Sequence, residues 1–180
     1  TRLILGGVTL LDGKISISQD QLSVDGQFLG QQTILKVARK AGFIEMTGRT
    51  NFYFGALKIP NAVLKISRTE ITVVGSFQGQ QTIFTLVQKS GSIALSANIN
   101  LSFAGLNISN ASLTVDRRNF IIVGHFLDQK ITFEVVEKAG SIELSGRMNF
   151  SFGGLNLSAA QVTLADNACA ITGNFLGQST

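Results

Sequence analysis

The sequence predicts an all-β fold of tandem antiparallel meanders, and three observations carry this prediction. The chain matches itself when it is displaced by 49 residues, without any insertion. Apolar and polar residues alternate with the period of two that is typical of a half-buried strand. Short turns separate the alternating segments, which favours hairpins between antiparallel neighbours over long crossover connections.

The repeat is visible in two separate segments of each copy. Asn51–Leu57 aligns with Asn100–Leu106 and Asn149–Leu155, and Gly26–Ile34 aligns with Gly75–Ile83. Constant length over successive copies predicts that neighbouring units pack in register through tight turns, because loops on independent units tolerate insertions. The predicted units of this single array are residues 2–50, 51–99, 100–148 and a truncated 149–180.

Each unit is predicted to hold four strands. In the second unit these are Ala62–Ser67, Ile71–Phe77, Thr82–Gln88 and Ser92–Phe103. Turns at Arg68-Thr69, Gly79-Gln80 and residues 89–91 connect them, and the small pair at residues 104–105 is expected to bend the chain towards the next unit. No window shows helical spacing.

Aligned positions across the copies separate an apolar face from a neutral polar one. The apolar face is predicted to be either a packed core or the lining of a groove, so the architecture is an elongated sandwich or an open β-groove. Its phenylalanines fall into two columns, Phe28, Phe77, Phe126 and Phe175, and Phe54, Phe103 and Phe152. On the polar face, an amide ladder is expected if units stack, formed by Asn51, Asn100 and Asn149.

Composition excludes several classes of protein. Apolar residues make up 44% of the chain and charged residues 14%, so there is ample apolar surface to oppose chain entropy, and disorder is excluded. The net charge of +4 comes from scattered basic residues, which argues against a nucleic-acid partner. No apolar run approaches the roughly 20 residues of a transmembrane helix.

The chemistry-bearing residues do not form a catalytic or metal-binding pattern. His125, the only histidine, shares its aligned position with polar residues and is expected at the surface. Cys169, the only cysteine, stands where the other copies carry Leu22, Ile71 and Phe120, and is expected to be a buried small hydrophobe. Most carboxylates fall in turns or on the polar face, without a recurring pair. We therefore expect neither enzymatic activity nor a cofactor or metal.

The leading functional hypothesis is a non-catalytic structural β module, exposed at a cell surface or outside the cell. In this hypothesis it assembles head to tail, because unpaired terminal strand edges are ready templates for another chain. The alternative is a hydrophobic-ligand or lipid-binding groove lined by the phenylalanine columns. A third hypothesis is recognition of carbohydrate or protein by the polar face. The first two differ in whether the apolar face closes on itself.

Overall fold

A computed structural model describes residues 3–5, 8–18, 21–40, 42–89, 92–103, 105–138, 141–165, 168–175 and 178–179. Within these ranges the chain forms β-strands joined by turns, with no helix. The strands are β1 (Leu3–Leu5), β2 (Val8–Ser18), β3 (Gln21–Phe28), β4 (Gln31–Lys40), β5 (Phe43–Phe54), β6 (Leu57–Ile66), β7 (Ile71–Phe77), β8 (Gln80–Lys89), β9 (Ser92–Phe103), β10 (Leu106–Val115), β11 (Phe120–Phe126), β12 (Gln129–Lys138), β13 (Ser141–Phe152), β14 (Leu155–Ala165), β15 (Ala168–Phe175) and β16 (Gln178–Ser179).

The strands form an open antiparallel sheet in which their order is their order along the chain. This confirms the predicted all-β, meander-type topology. The chain divides into two compact units, residues 1–97 and 98–180. The 49-residue repeat, the boundaries of its copies and the choice between sandwich and groove stay predictions.

Tight hairpins fix the register of successive strands. Gln78 and Gly79 have φ angles of 48° and 75°, and Leu127 and Asp128 have φ angles of 48° and 60°. Two central residues with positive φ are typical of a type I′ turn, whose twist matches that of the strands it joins. The turn before β8 therefore comes one residue earlier than Gly79-Gln80, and β8 starts at Gln80.

The predicted first strand of the copy at residues 51–99 is too short, because a β-bulge interrupts its alternation. The strand β6 starts at Leu57 rather than Ala62. Asn61 has a φ angle of 53°, and the register against β5 shifts between Thr50 and Phe52. The extra residue reverses which side chains point inwards, so a search for strict alternation finds only the half of the strand after the bulge.

One face of the sheet is a packed core over much of each unit. Phe77 and Phe84 meet edge to face with ring centroids 6.1 Å apart, as do Phe126 and Phe133 at 6.1 Å. Such aromatic pairs stabilise a core beyond the area they bury. Side chains at most 2% exposed on this face include Leu64, Ile66, Ile71, Val73 and Phe84 in the first unit and Leu113, Ile122, Phe126, Phe133 and Leu144 in the second.

Candidate functional site

The first unit contains an apolar cavity of about 500 Å³ that opens to solvent. This volume lies within the range of small-molecule sites, which are concave and mostly apolar with few polar groups. The cavity is lined by Ile4, Ile15, Leu22, Val24, Val37, Gly42, Phe43, Ile44, Met46, Ile66, Ser67 and Arg68.

A continuous cross-strand row forms the centre of this cavity. Leu22 of β3 is paired with Val37 of β4, Val37 with Met46 of β5, and Met46 with Ile66 of β6. Directly opposed residues of antiparallel strands place their side chains on the same face. The row therefore presents an uninterrupted apolar strip across four strands.

The apolar face is open at the cavity and closed around Leu64. Ile15, Phe43 and Ile44 are 54%, 59% and 60% exposed, whereas Leu64, which stands 49 residues after Ile15 in the sequence, is completely buried. Large exposed apolar side chains that cluster around a concavity usually mark a binding surface. The residues that open the cavity therefore form the candidate functional site.

One arginine lines this site, and a second lies opposite a lining residue on the same face. Arg68 lies in the turn after β6, which is held by hydrogen bonds that Ser67 N and Ser67 Oγ donate to Glu70 O at 2.8 and 3.0 Å. Arg39 lies opposite Ile44 and on the same face as Val37. Within the described part of the chain neither guanidinium has an ion pair, and no carboxylate lines the cavity.

The described phenylalanines of the two predicted columns lie outside the cavity. Phe28, Phe54, Phe77 and Phe126 are buried, at 1% to 6% exposure, and none of them lines it. The side chains of Phe103, Phe152 and Phe175 fall outside the described residues. Where the structure describes these columns, their side chains are core, and the groove-lining residues are different ones.

Sequence reasoning missed the residues that open the cavity. The sequence offered one indication of the cavity at Phe43, because the aligned positions carry serine, Ser92 and Ser141. Arg39 was another, because it aligns with Gln88 and Glu137. A large apolar residue and a cation that appear at only one of the aligned sequence positions indicate a local role.

The asparagine column stabilises β-bulges. Asn51 Oδ1 accepts a hydrogen bond from the backbone N–H of Asn61 at 3.0 Å, and Asn100 Oδ1 accepts one from that of Asn110 at 2.9 Å. Asn149 Oδ1 does the same for Ala159 at 3.0 Å. Asn61, Asn110 and Ala159 all have positive φ angles, of 53°, 49° and 49°. The described bonds of these amide oxygens therefore run to the backbone of the next strand. The amide ladder stays a prediction.

The predictions for the single histidine and the single cysteine differ in how they compare with the structure. His125 is exposed, as predicted from its polar neighbours. The prediction for Cys169 was wrong, because its side chain is exposed. Its β14 neighbour is Leu164, but on the other side β16 pairs only with Asn174 and Phe175, so no described strand covers Cys169. Partial desolvation still raises the pKa of the thiol above its ordinary value.

The described residues contain no group of three His, Cys, Asp or Glu side chains placed to hold a metal ion. Over the same ranges, no helix has the length and apolarity needed to cross a membrane. Comparison of the chain with protein-family models, curated proteins and solved structures gives no match.

Proposed function

We propose that the chain is a non-catalytic β module that binds a hydrophobic ligand in the open groove of its first unit. The groove consists of the cavity-lining residues named above. The observation that supports this proposal is a contrast in burial. The apolar face is closed around Phe84 but open around Ile15, Phe43 and Ile44. Covering these side chains with a ligand removes apolar surface from water, which stabilises the complex by roughly 25 cal/mol per Å² before the costs of association.

Two further features support a ligand over a collapsed core. The groove is apolar along a row of four strands, so an elongated chain can contact Leu22, Val37 and Met46 in succession. The walls are strands joined by backbone hydrogen bonds, which keeps the site largely preformed and lowers the entropy lost on binding.

Substitution of Ile44 by Gln should weaken binding of an uncharged fluorescent probe, N-phenyl-1-naphthylamine, by several-fold. The amide removes apolar contact from the groove and must be desolvated when the probe enters. Because Ile44 is 60% exposed, the variant should fold normally. Fluorescence titration of the full chain measures the change in Kd.

The matched control is Ile83→Gln, because Ile83 is also 60% exposed but lies outside the groove. It should bind the probe as the parent does. Equal affinity of all three proteins, or no saturable binding by the parent, would count against the groove as a ligand site.

A second candidate function is the structural module that assembles by strand pairing. Strand β15 carries no charged residue or proline, and exposed strands usually contain such residues to prevent pairing with other chains. On the side away from β14, the described pairing of β15 is limited to Asn174 and Phe175. The backbone of residues 168–172 thus offers an edge to a strand from a second copy.

If this edge drives assembly, Ala170→Lys should abolish it, because a lysine on an edge strand opposes pairing with another chain. Ala170 is exposed, so the substitution needs no repacking of a core. Sedimentation velocity from low to high micromolar concentration should then show association of the parent and monomers of the variant. A parent that stays monomeric over the whole range would contradict this candidate.

A further inference from the structure

We propose that the groove selects an anionic single-chain amphiphile, whose apolar tail lies along the Leu22–Val37–Met46–Ile66 row and whose headgroup binds Arg39 and Arg68. This rests on the proposed ligand-binding function and adds to it the chemical class of the ligand. The shared chemistry is an unbranched hydrocarbon chain that ends in a carboxylate, sulfate or phosphate.

The dimensions and the polarity of the groove fit one unbranched hydrocarbon tail. A cavity of about 500 Å³ with an apolar floor suits one hydrocarbon chain. The row formed by Leu22, Val37, Met46 and Ile66 runs across the strands. With neighbouring strands about 4.8 Å apart, the row spans roughly 14 Å. A linear tail can follow this line, whereas a compact ring system contacts only part of it.

The two arginines on this face favour an anionic headgroup. Arg68 lines the cavity directly, and it follows Ile66, the last residue of the row, by two positions. Arg39 lies beside Ile44, one cross-strand pair beyond Val37 and Met46 on the same face. The two cations therefore flank the end of the cavity towards which residues 37 to 39 run.

The available hydrogen-bonding capacity favours an anion over a neutral or cationic group. A guanidinium donates up to five hydrogen bonds and matches the oxygens of a carboxylate or phosphate. Arg39 and Arg68 form no ion pair with described residues, so they are available to a ligand. No carboxylate is among the described lining residues, so these residues offer a cationic headgroup no attraction to offset repulsion by the arginines.

The test compares cis-parinaric acid with its methyl ester, which has the same tail but no charge. We expect the full chain to bind the acid on the order of 10-fold more tightly than the ester, because charge-assisted hydrogen bonds are among the stronger ones. The double variant R39Q/R68Q should bind the acid no more tightly than the ester, and its affinity for the ester should be that of the parent. Both arginines are exposed, so neither substitution disturbs a core.

The matched control is R117Q, because Arg117 occupies the corresponding exposed turn of the second unit. It should leave the affinity for both probes unchanged. Equal binding of acid and ester by the parent, or an unchanged preference in R39Q/R68Q, overturns the assignment of the headgroup and leaves the proposed function standing. Absence of saturable binding of either probe overturns both. Sedimentation of the same samples must show monomers without ligand, since a second copy that covers the groove would also overturn the inference.

Discussion

Phe126→Ala should lower the free energy of unfolding by about 3–5 kcal/mol, the range found when a buried phenylalanine is truncated. Phe126 is 1% exposed, and its ring meets that of Phe133 edge to face at 6.1 Å. The substitution loses the transfer free energy of the ring and leaves a cavity that strands held by backbone hydrogen bonds cannot easily close. Urea unfolding monitored by far-ultraviolet circular dichroism measures the loss.

The same truncation at Phe43 provides the control. Phe43 is 59% exposed in the groove, so Phe43→Ala should destabilise the fold by less than about 1 kcal/mol, and it should weaken probe binding instead. Phe126→Ala should leave probe binding unchanged. A small stability loss at Phe126 together with a loss of ligand affinity would show that this column lines a groove rather than a core.

The strands were predictable because period two and short turns are local properties. The predicted bounds of β7 and β9, Ile71–Phe77 and Ser92–Phe103, agree with the structure to the residue. The start of β6 was not predictable in this way. It depends on a bulge at Asn61. The backbone N–H of Asn61 donates a hydrogen bond to Oδ1 of Asn51, ten residues earlier, and the alternation of apolar and polar residues does not reveal that contact.

The candidate site was harder to predict, because the tertiary structure decides whether another element covers an apolar side chain. Ile15 and Leu64 occupy the same place in the alternating pattern, yet one is exposed and the other buried. Cys169 shows the same limit, since its aligned residue Phe120 is buried at 5% exposure, whereas Cys169 is exposed. An apolar residue in a strand indicates which face it occupies, but not whether another element covers that face.

The two glycines opposite the bulges of β10 and β14 differ in the space that surrounds them. A Cβ atom built on Gly124 would lie 2.5 Å from Ile108 Cγ2 and 3.3 Å from Ala111 Cβ, both on β10. At Gly173 the nearest atoms, Ala160 Cβ and Leu157 Cβ, are 3.3 Å away. The two sites differ in the residue that faces the glycine, because isoleucine carries a methyl branch at Cβ and leucine does not.

Gly124→Ala should therefore destabilise the protein by about 1–3 kcal/mol, as overpacking of a close-packed core does. Gly173→Ala should cost less than about 1 kcal/mol, since a neighbour at 3.3 Å needs to move only a few tenths of an ångström and the loss of chain entropy in the unfolded state partly offsets the strain. Equilibrium unfolding in urea of both variants and the parent measures the difference.

A double-mutant cycle identifies the clashing atom. Ile108→Leu removes the methyl branch at Cβ and reproduces the side chain that Leu157 presents to Gly173. If Ile108 Cγ2 is the obstacle, Gly124→Ala should cost at least about 1 kcal/mol less in the Ile108→Leu background, a coupling energy typical of residues in direct contact. An equal cost in both backgrounds would place the obstacle at Ala111 instead. The bulge itself, rather than the side chain of Ile108, would then require a glycine at position 124.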